Sequence, residues 1–365
     1  MYEAIVADWQ GRIRAATEAR MPLRIRGGGT KDFYGGTIIG EVLNTRSYSG
    51  IVDYDPTELV ITARAGTTLE EIEATMHAAG QMLAFEPPHF RNGSSTATLG
   101  GCVAAGLSGP RRPYGGAVRD LVLGVRMIDG GGDDLTFGGR VMKNVAGFDV
   151  PRVMTGALGT LGVLLEISLK CLPAPKMEAT RVFECTAEEA IRWCNEWGGQ
   201  PLPLSATCYH RGRLAIRLSG APEAVRAAIL RLGGEALSDP DGGEGYWRSV
   251  RDHAHSFFAA AMAAGAPLWR LSVRTTAPPG DPDADMLVEW GGALRWQVAD
   301  ERTDPNALRA WARNHGGHAT LFRAADKRAG AFDPLSDVMT ELHRRLKAVF
   351  DPAGIFNRGR LYPAF

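Results

Sequence analysis

Apolar and polar positions recur along this chain in two periods, and the switches between them mark its elements. From Tyr2 to Glu18 the apolar residues Ile5, Trp9 and Ile13 recur on one face, which predicts an amphipathic helix. Pro22 then leads into Leu23-Arg24-Ile25-Arg26, a short strand with alternating faces. Glu58 to Ala65 repeats the strand pattern after the Asp55-Pro56 turn, and Thr68, with Glu71 three residues on, starts a helix that ends near Gly80. Val118 to Asp129 reads as a buried strand entering a hairpin turn at Gly130 to Asp133. The run from Leu161 to Leu169, mostly Leu, Val and Ile, predicts another buried strand, stopped before Lys170 and the Pro173–Pro175 breaker.

Beyond Pro175 the two periods alternate more regularly. Strands are predicted at Arg181–Cys185, Leu214–Leu218, Leu268–Arg274, Leu287–Trp290, Ala293–Val298 and Ala319–Phe322. Helices are predicted at Ala187–Trp197, Glu223–Leu232, Trp247–Ala263, Pro305–His315 and Pro334–Phe350. Ser238 to Gly245 and Ala277 to Asp285 read as surface loops. The whole is an α+β chain of two domain-sized parts.

Composition narrows the function. With 41 basic and 41 acidic residues the formal charge is zero, so no general attraction to nucleic acid or an anionic membrane follows. No basic-then-apolar leader is present at Met1, and no run reaches the ~18–20 apolar residues of a membrane helix. The expectation is a cytoplasmic protein that meets the inner face of a membrane only through partners. Five cysteines without a C-x-x-C argue against a disulfide framework, a cysteine zinc site or an iron–sulfur cluster.

The 45 glycines cluster, and the clusters carry the candidate chemistry. Gly27-Gly28-Gly29-Thr30-Lys31 follows a strand and frees backbone N–H groups to curl towards an anion. It is neither G-x-G-x-x-G nor a Walker loop, and alone it also fits a plain turn. Thr96-Ala97-Thr98-Leu99-Gly100-Gly101 offers hydroxyl and backbone donors. Gly156, Gly159 and Gly162 stand before the buried strand at Leu161. Arg111 and Arg112 either pair with an anion or are solvated.

Five motifs now stand in order. They are R-G-G-G-T-K, D-P-T-E-L-V-I-T-A-R-A-G-T-T-L-E-E-I, A-T-L-G-G-C-V-A-A-G-L-S-G-P-R-R-P-Y-G, K-N-V-A-G-F-D-V and G-T-L-G-V-L-L-E-I-S-L-K-C-L-P. Together, with F-D-P-A-G-I-F-N-R-G-R-L near the C-terminus, they resemble the FAD-binding domain of the vanillyl-alcohol oxidase/p-cresol methylhydroxylase family. Within it they are most similar to the FAD-binding subunits of glycolate oxidases. The resemblance implies an FAD-binding domain of two α+β subdomains over residues 1–173. An α+β, ferredoxin-like cap follows over 174–333, and a helix and tail over 334–365 return to the FAD domain.

The resemblance also implies a site. Gly27, Gly28, Gly29, Thr30 and Lys31 would form one pyrophosphate loop, where a Cβ at Gly28 would crowd the phosphates. Thr96, Ala97, Thr98, Gly100 and Gly101 would form the second. Gly159, Thr160, Gly162 and Val163 would run beside the adenosine half. Lys143, Asn144, Gly147, Phe148 and Asp149 would pack around the cofactor, and Asn357 and Arg360 would fold back near the ring. Arg358-Gly359-Arg360 stands where relatives commonly have Pro-Gly-Lys, so the charge is kept. Some relatives bond flavin through a His near the first loop; Met21 to Gly40 has none, so non-covalent FAD is expected.

In the cap the resemblance breaks. Relatives that oxidise 2-hydroxy acids often carry two histidines and an acidic residue on a metal, but H-x-G-D-G-N and E-H-G are missing here. His315 and His318 sit in a Gly-Gly turn, and His253 and His255 do not share a helical face, so no metal is expected. Arg217, Arg270, Arg274, Arg295 and Arg323 lie on cap strands, and Trp290 and Trp296 could form a contact patch. No catalytic residue is identified. The implied role is the FAD subunit of a complex oxidising glycolate to glyoxylate, beside a larger flavoprotein subunit and an iron–sulfur subunit that carries electrons away. The alternatives are a self-sufficient oxidoreductase of another hydroxy acid, alcohol or sugar, and a non-catalytic flavin scaffold or relay.

Overall fold

A computed structural model describes residues 2–91, 93–139, 147–237 and 243–365. Two large sheets hold most of the strands, beside two-stranded pairs at Leu23–Arg26/Glu41–Asn44 and Gln81–Met82/Leu172–Pro173. The first large sheet has five antiparallel strands, with Val163–Lys170 at its centre between Val60–Arg64 and Val122–Ile128, flanked by Ile51–Asp55 and Asp134–Gly138. Val163–Lys170 is buried almost throughout because both faces are covered. Leu69–Ala78 and Leu99–Ala105 cover one face, burying Ile72, Met76 and Val103 against Ile61, Val125 and Ile167. Tyr2–Ala19 buries Val6, Trp9, Ile13 and Ala16 against the other, with Val163 and Leu165. Each such large apolar side chain contributes about 1.5–3 kcal/mol on burial.

The helix start at Thr68 falls where the sequence placed it. Thr68 caps its helix, its hydroxyl accepting from the Glu71 N–H at 3.2 Å. The expected strand over Val118 to Asp129 is shorter: Val118–Leu121 is a helical turn, and the strand is Val122–Ile128.

The second sheet has eight strands. Its first half runs Met177–Glu184, helix Ala187–Gly198, Leu204–His210, Arg213–Gly220, helix Pro222–Leu232, Glu235–Ala236. The fourth strand lies beside the first and the third between first and second, the βαββαβ arrangement of a ferredoxin-like unit. The second half, Leu268–Ser272, Met286–Glu289, Leu294–Val298, helix Pro305–Asn314 and His318–Arg323, repeats that strand order and joins the first through the Leu204–His210/Met286–Glu289 pair. The second sheet is therefore one ferredoxin-like unit joined edge to edge to a half that shares its strand order but has no helix between its first two strands.

One predicted helix divides. Trp247–Ala263 is two helices, Glu244–Arg251 and Ser256–Ala263. His253 between them has φ +59°, and His255 is the N-cap of the second, its Nδ1 accepting from the Phe257 N–H at 3.3 Å. The last helix starts at Asp337 rather than Pro334, because Ser336 caps it.

The C-terminal tail returns to the strand Leu23–Arg26, which pairs in parallel with Glu41–Asn44 apart from the five-stranded sheet. Leu23 donates its N–H to the Ile355 carbonyl at 2.8 Å, and Asn357 donates to the Leu23 carbonyl at 2.9 Å. A buried ion pair pins the tail. Lys347 Nζ lies 2.6 Å from Asp351 and also donates to the carbonyls of Thr160 and Phe356. Asp351 in turn accepts from the N–H groups of Ile355 and Phe356.

Candidate functional site

The three glycine-rich stretches and the C-terminal motif meet along one cleft of about 860 Å3, its mouth included. Gly27, Gly28, Gly29, Thr30 and Lys31 line one wall. Thr98, Gly100 and Gly101 form the second, Gly159 and Gly162 the third, and Asn357 and Arg360 close one end. Ala104, Ala105, Met154 and Leu158 make an apolar floor.

Local sequence explains why the loops meet. The main chain of residues 65–69 and 97–100 is laced by hydrogen bonds: Leu69 N–H to Ala97 carbonyl, Leu99 N–H to Thr67 carbonyl and Gly100 N–H to Ala65 carbonyl, at 2.8–2.9 Å. Gly28 packs its α-carbon onto the Thr96 carbonyl, so a Cβ there would overlap main chain before it reached any ligand. Gly159, at φ +71°, faces the Asn357 amide, which a Cβ would meet at 2.7 Å. Asn357 uses both ends of that amide. Its Nδ2 donates to the Leu158 carbonyl at 2.6 Å, and its Oδ1 accepts from the Ile25 N–H at 2.8 Å. Its role in the structure is to tie the tail, the first strand and the third loop together.

The remaining sequence candidates lie elsewhere. Thr96 and Ala97 stand behind the second wall, where they supply the carbonyls just described. Thr160 is buried, its hydroxyl donating to Ala157 and its carbonyl accepting from Lys347. Val163 opens the central strand and packs against Tyr2–Ala19. Gly147, Phe148 and Asp149 are exposed, Phe148 at 90%, and Asp149 pairs with Arg152. Lys143 and Asn144 lie outside the described residues.

Two cations give the cleft its electrostatics. Lys31 is buried, and its Nζ has a hydroxyl contact with Thr30 at 3.4 Å and the ring centre of Phe90 at 5.5 Å. No carboxylate among the described residues lies within ion-pair distance of it. Burial pushes its pKa down, since a desolvated ammonium is disfavoured. Arg360 donates from Nη2 to the Lys31 carbonyl at 2.8 Å, and its buried Nε has no partner. Burial lowers its pKa to about 10. Asp32 is already engaged by Arg24 and Arg26, at 2.7 Å each. The wall therefore presents buried positive charge without its counterpart, which an anionic ligand would supply.

The other sequence candidates divide. Arg111 is buried and bridges the two sheets' domains, reaching Glu86 and Glu178, while Arg217 reaches Glu86 at 2.7 Å. Arg112 lies over the Trp290 ring. Arg295 is fully buried and donates to the carbonyls of Ala277, Pro278 and Gly292, so it anchors the start of the Ala277–Asp285 loop. Arg323 lies 3.6 Å from the Phe33 ring centre. Trp290 and Trp296 are both buried rather than a surface patch, their indole N–H groups bonded to Gly109 and Glu289. His315 bonds the Trp311 carbonyl. Among the described residues no group of three or more His, Cys, Asp or Glu could hold a metal. Sequence reasoning missed the Lys347–Asp351 clamp, for which the i,i+4 spacing was the available signal.

The comparisons with known proteins agree with this geometry. The sequence model of the family described as "FAD binding domain" matches residues 5–138. The chain is 46% identical over 351 residues to glycolate oxidase subunit GlcE of Escherichia coli, covering 96% of this chain and 95% of that protein. It is 31% identical over 167 residues to glycolate oxidase subunit GlcD of Bacillus subtilis, covering 45% of this chain and 34% of that one. Among solved structures, alkyldihydroxyacetonephosphate synthase superposes with a TM-score of 0.63 at 16% identity, over 95% of this chain and 73% of that one, which shows the shared fold. The chain belongs to the family of GlcE-type glycolate oxidase subunits, FAD-dependent oxidoreductases.

Proposed function

We propose that this chain is the FAD-binding subunit of a complex that oxidises glycolate to glyoxylate. The observation that carries this reading is the cleft, where glycine walls from three loops surround two buried cations, Lys31 and Arg360, that lack counter-charges. The residues fit FAD. The unpartnered Arg360 Nε and the Lys31 ammonium suit a ligand rich in phosphate and carbonyl oxygens. The apolar floor at Ala104, Ala105 and Leu158 suits a flat ring system.

In this reading Gly27 to Lys31 and Thr98 to Gly101 hold the pyrophosphate, and Gly159 and Gly162 flank the adenosine half. Thr96, Ala97, Thr160 and Val163 support those walls from behind. Arg360 and Lys31 bring positive charge to the closed end, and Asn357 holds Arg360's segment in place. The first loop has no histidine, so the attachment is non-covalent. Bound FAD would supply the hydride acceptor; the chain's own work is to bind and orient it and to exclude water behind the cap. The contacts assigned above to Lys143, Asn144, Gly147, Phe148 and Asp149 belong to the same proposal.

Residues 1–173 form the FAD domain in this reading, 174–333 the cap and 334–365 the returning tail, with the change of sheet after Lys170 in support. A larger flavoprotein subunit and an iron–sulfur subunit complete the complex, and electrons leave through the latter, since five scattered thiols here show no cluster pattern. The site is cytoplasmic, reached at the membrane only through those partners. No described helix is long and apolar enough to cross a membrane.

The test is an anaerobic visible spectrum of the FAD-loaded chain with glycolate, alone and after addition of the partner subunits. The reading expects flavin absorbance that bleaches once the complex is assembled. Flavin that stays oxidised in the assembled, glycolate-consuming complex would overturn it.

A further inference from the structure

A second, smaller cavity lies between the cleft and the cap sheet, with about 310 Å3 of empty space, its mouth included. It abuts the cleft: Phe90 lines it and carries Lys31 over its ring, and Leu107 follows Ala104 and Ala105 of the cleft floor. Its polar groups take no part in the FAD walls.

Their charges do not cancel. Arg270 rises from Leu268–Ser272, opposite Trp296 in register, and its guanidinium lies 5.1 Å from the Trp290 ring centre and 5.9 Å from that of Trp296. Among the described residues it has no carboxylate at ion-pair distance. Arg251 is matched by Asp252 at 2.7 Å. Glu289 accepts from the Trp296 indole N–H at 2.8 Å, and burial raises its pKa to about 8, so it is largely neutral at pH 7. His253 is 4% exposed and stacked on Phe258 with ring centres 3.8 Å apart. The edges of Phe90 and Trp296 enclose it, and its Nδ1 has no partner. The lining thus holds one unmatched cation and one unsatisfied ring nitrogen, both out of water. Buried groups of that kind are costly unless a ligand or water completes them.

We propose that this cavity binds a small hydroxy-monocarboxylate, with Arg270 holding the carboxylate and the Nδ1 of His253 meeting the hydroxyl. The proposal rests on the glycolate reading above and names where in this chain the acid sits. One unmatched positive charge selects a monoanion, and a guanidinium suits a carboxylate. As it stands the enclosed space admits little more than a water, so seating even an acid of about two or three carbons asks Phe90 or Arg251 to give by a rotamer, a common response to binding.

Titration of the full chain with glycolate tests this, by calorimetry and by tryptophan fluorescence, to which Trp290 and Trp296 contribute, with and without FAD. The wild type should saturate, and acetate, which lacks the hydroxyl, should bind more weakly. Arg270→Met should weaken glycolate binding about 10- to 100-fold, and Arg270→Lys should restore most of it. FAD content, measured in the same samples, should not change in either variant. Absence of saturation in the wild type, undiminished binding by Arg270→Met, or acetate binding as tightly as glycolate would overturn the proposal. Normal FAD content alongside any of these leaves the FAD reading standing; loss of FAD from the wild type would sink that reading instead.

Discussion

Two sets of buried cations sit within one molecule, and they are treated differently. At the domain interface Arg111 and Arg217 are closed by Glu86, Glu178 and hydroxyls of Ser205 and Ser219. In the cleft Lys31 and Arg360 are equally buried but have carbonyl or hydroxyl contacts and no carboxylate. The first set is satisfied by the chain, and it ties the segments around Glu86 and Arg111 to the eight-stranded sheet. In the reading proposed above, the second set is left for the cofactor to complete. Burial without a counter-charge does not mark a site by itself, since Arg295 is fully buried on carbonyls alone; the cleft cations differ in lining an open cleft.

The largest effect should come from breaking the cleft itself. Gly28→Val drives a side chain into the Thr96 carbonyl, parts the two loops and should abolish FAD retention; normal flavin content would contradict the loop assignment. Next comes the closed set. Arg217→Met leaves the mostly buried Glu86 short of a partner and should cost about 3 kcal/mol in chemical denaturation. The open set should respond with the opposite sign. Lys31→Met removes an uncompensated ammonium, so the apoprotein should keep or gain stability, while FAD affinity falls about 10- to 100-fold. Equal destabilisation by both substitutions would erase the distinction.

A smaller effect concerns pH. Glu289 has its folded-state pKa raised by burial from 4.5 to about 8, so the fold favours the neutral carboxyl. Its stabilising contribution is complete below about pH 4.5 and is lost as pH rises through about 8. Glu289→Gln should flatten the fall of melting temperature across that window, and an unchanged slope would show that other groups set it. The smallest effect is expected at Phe148, which is 90% exposed: Phe148→Ala should change stability by no more than about 0.5 kcal/mol. Whether it changes FAD retention decides if that residue meets the cofactor.

What the sequence made legible was local. Glycine stretches after strands, the Thr68 cap and the central apolar run each depend on near neighbours, and the structure has them where they were read. The strand and helix alternation beyond Pro175 was also legible, although the repeat of its strand order in one sheet was not, because the joining pair depends on residues 81 positions apart, Cys208 with Glu289. Long-range electrostatics were illegible for the same reason. Arg111 looked solvated or anion-binding, yet Glu178 lies 67 residues away in sequence and touches it. The broken helix at His253 escaped because no Gly or Pro marks it; its φ of +59° is imposed by packing. The true signal there is tertiary, as Asp252 accepts the His89 N–H from the FAD domain.

In the proposed reading the chain holds FAD, without a covalent bond, in the cleft of Lys31 and Arg360. Acid precipitation of the purified, FAD-loaded chain tests it most directly, with flavin measured in supernatant and pellet. The account predicts about one equivalent of FAD per chain, all of it in the supernatant, and little in a Gly28→Val sample. Flavin that stays with the precipitated protein, or a wild type that retains none after loading with FAD, would contradict it.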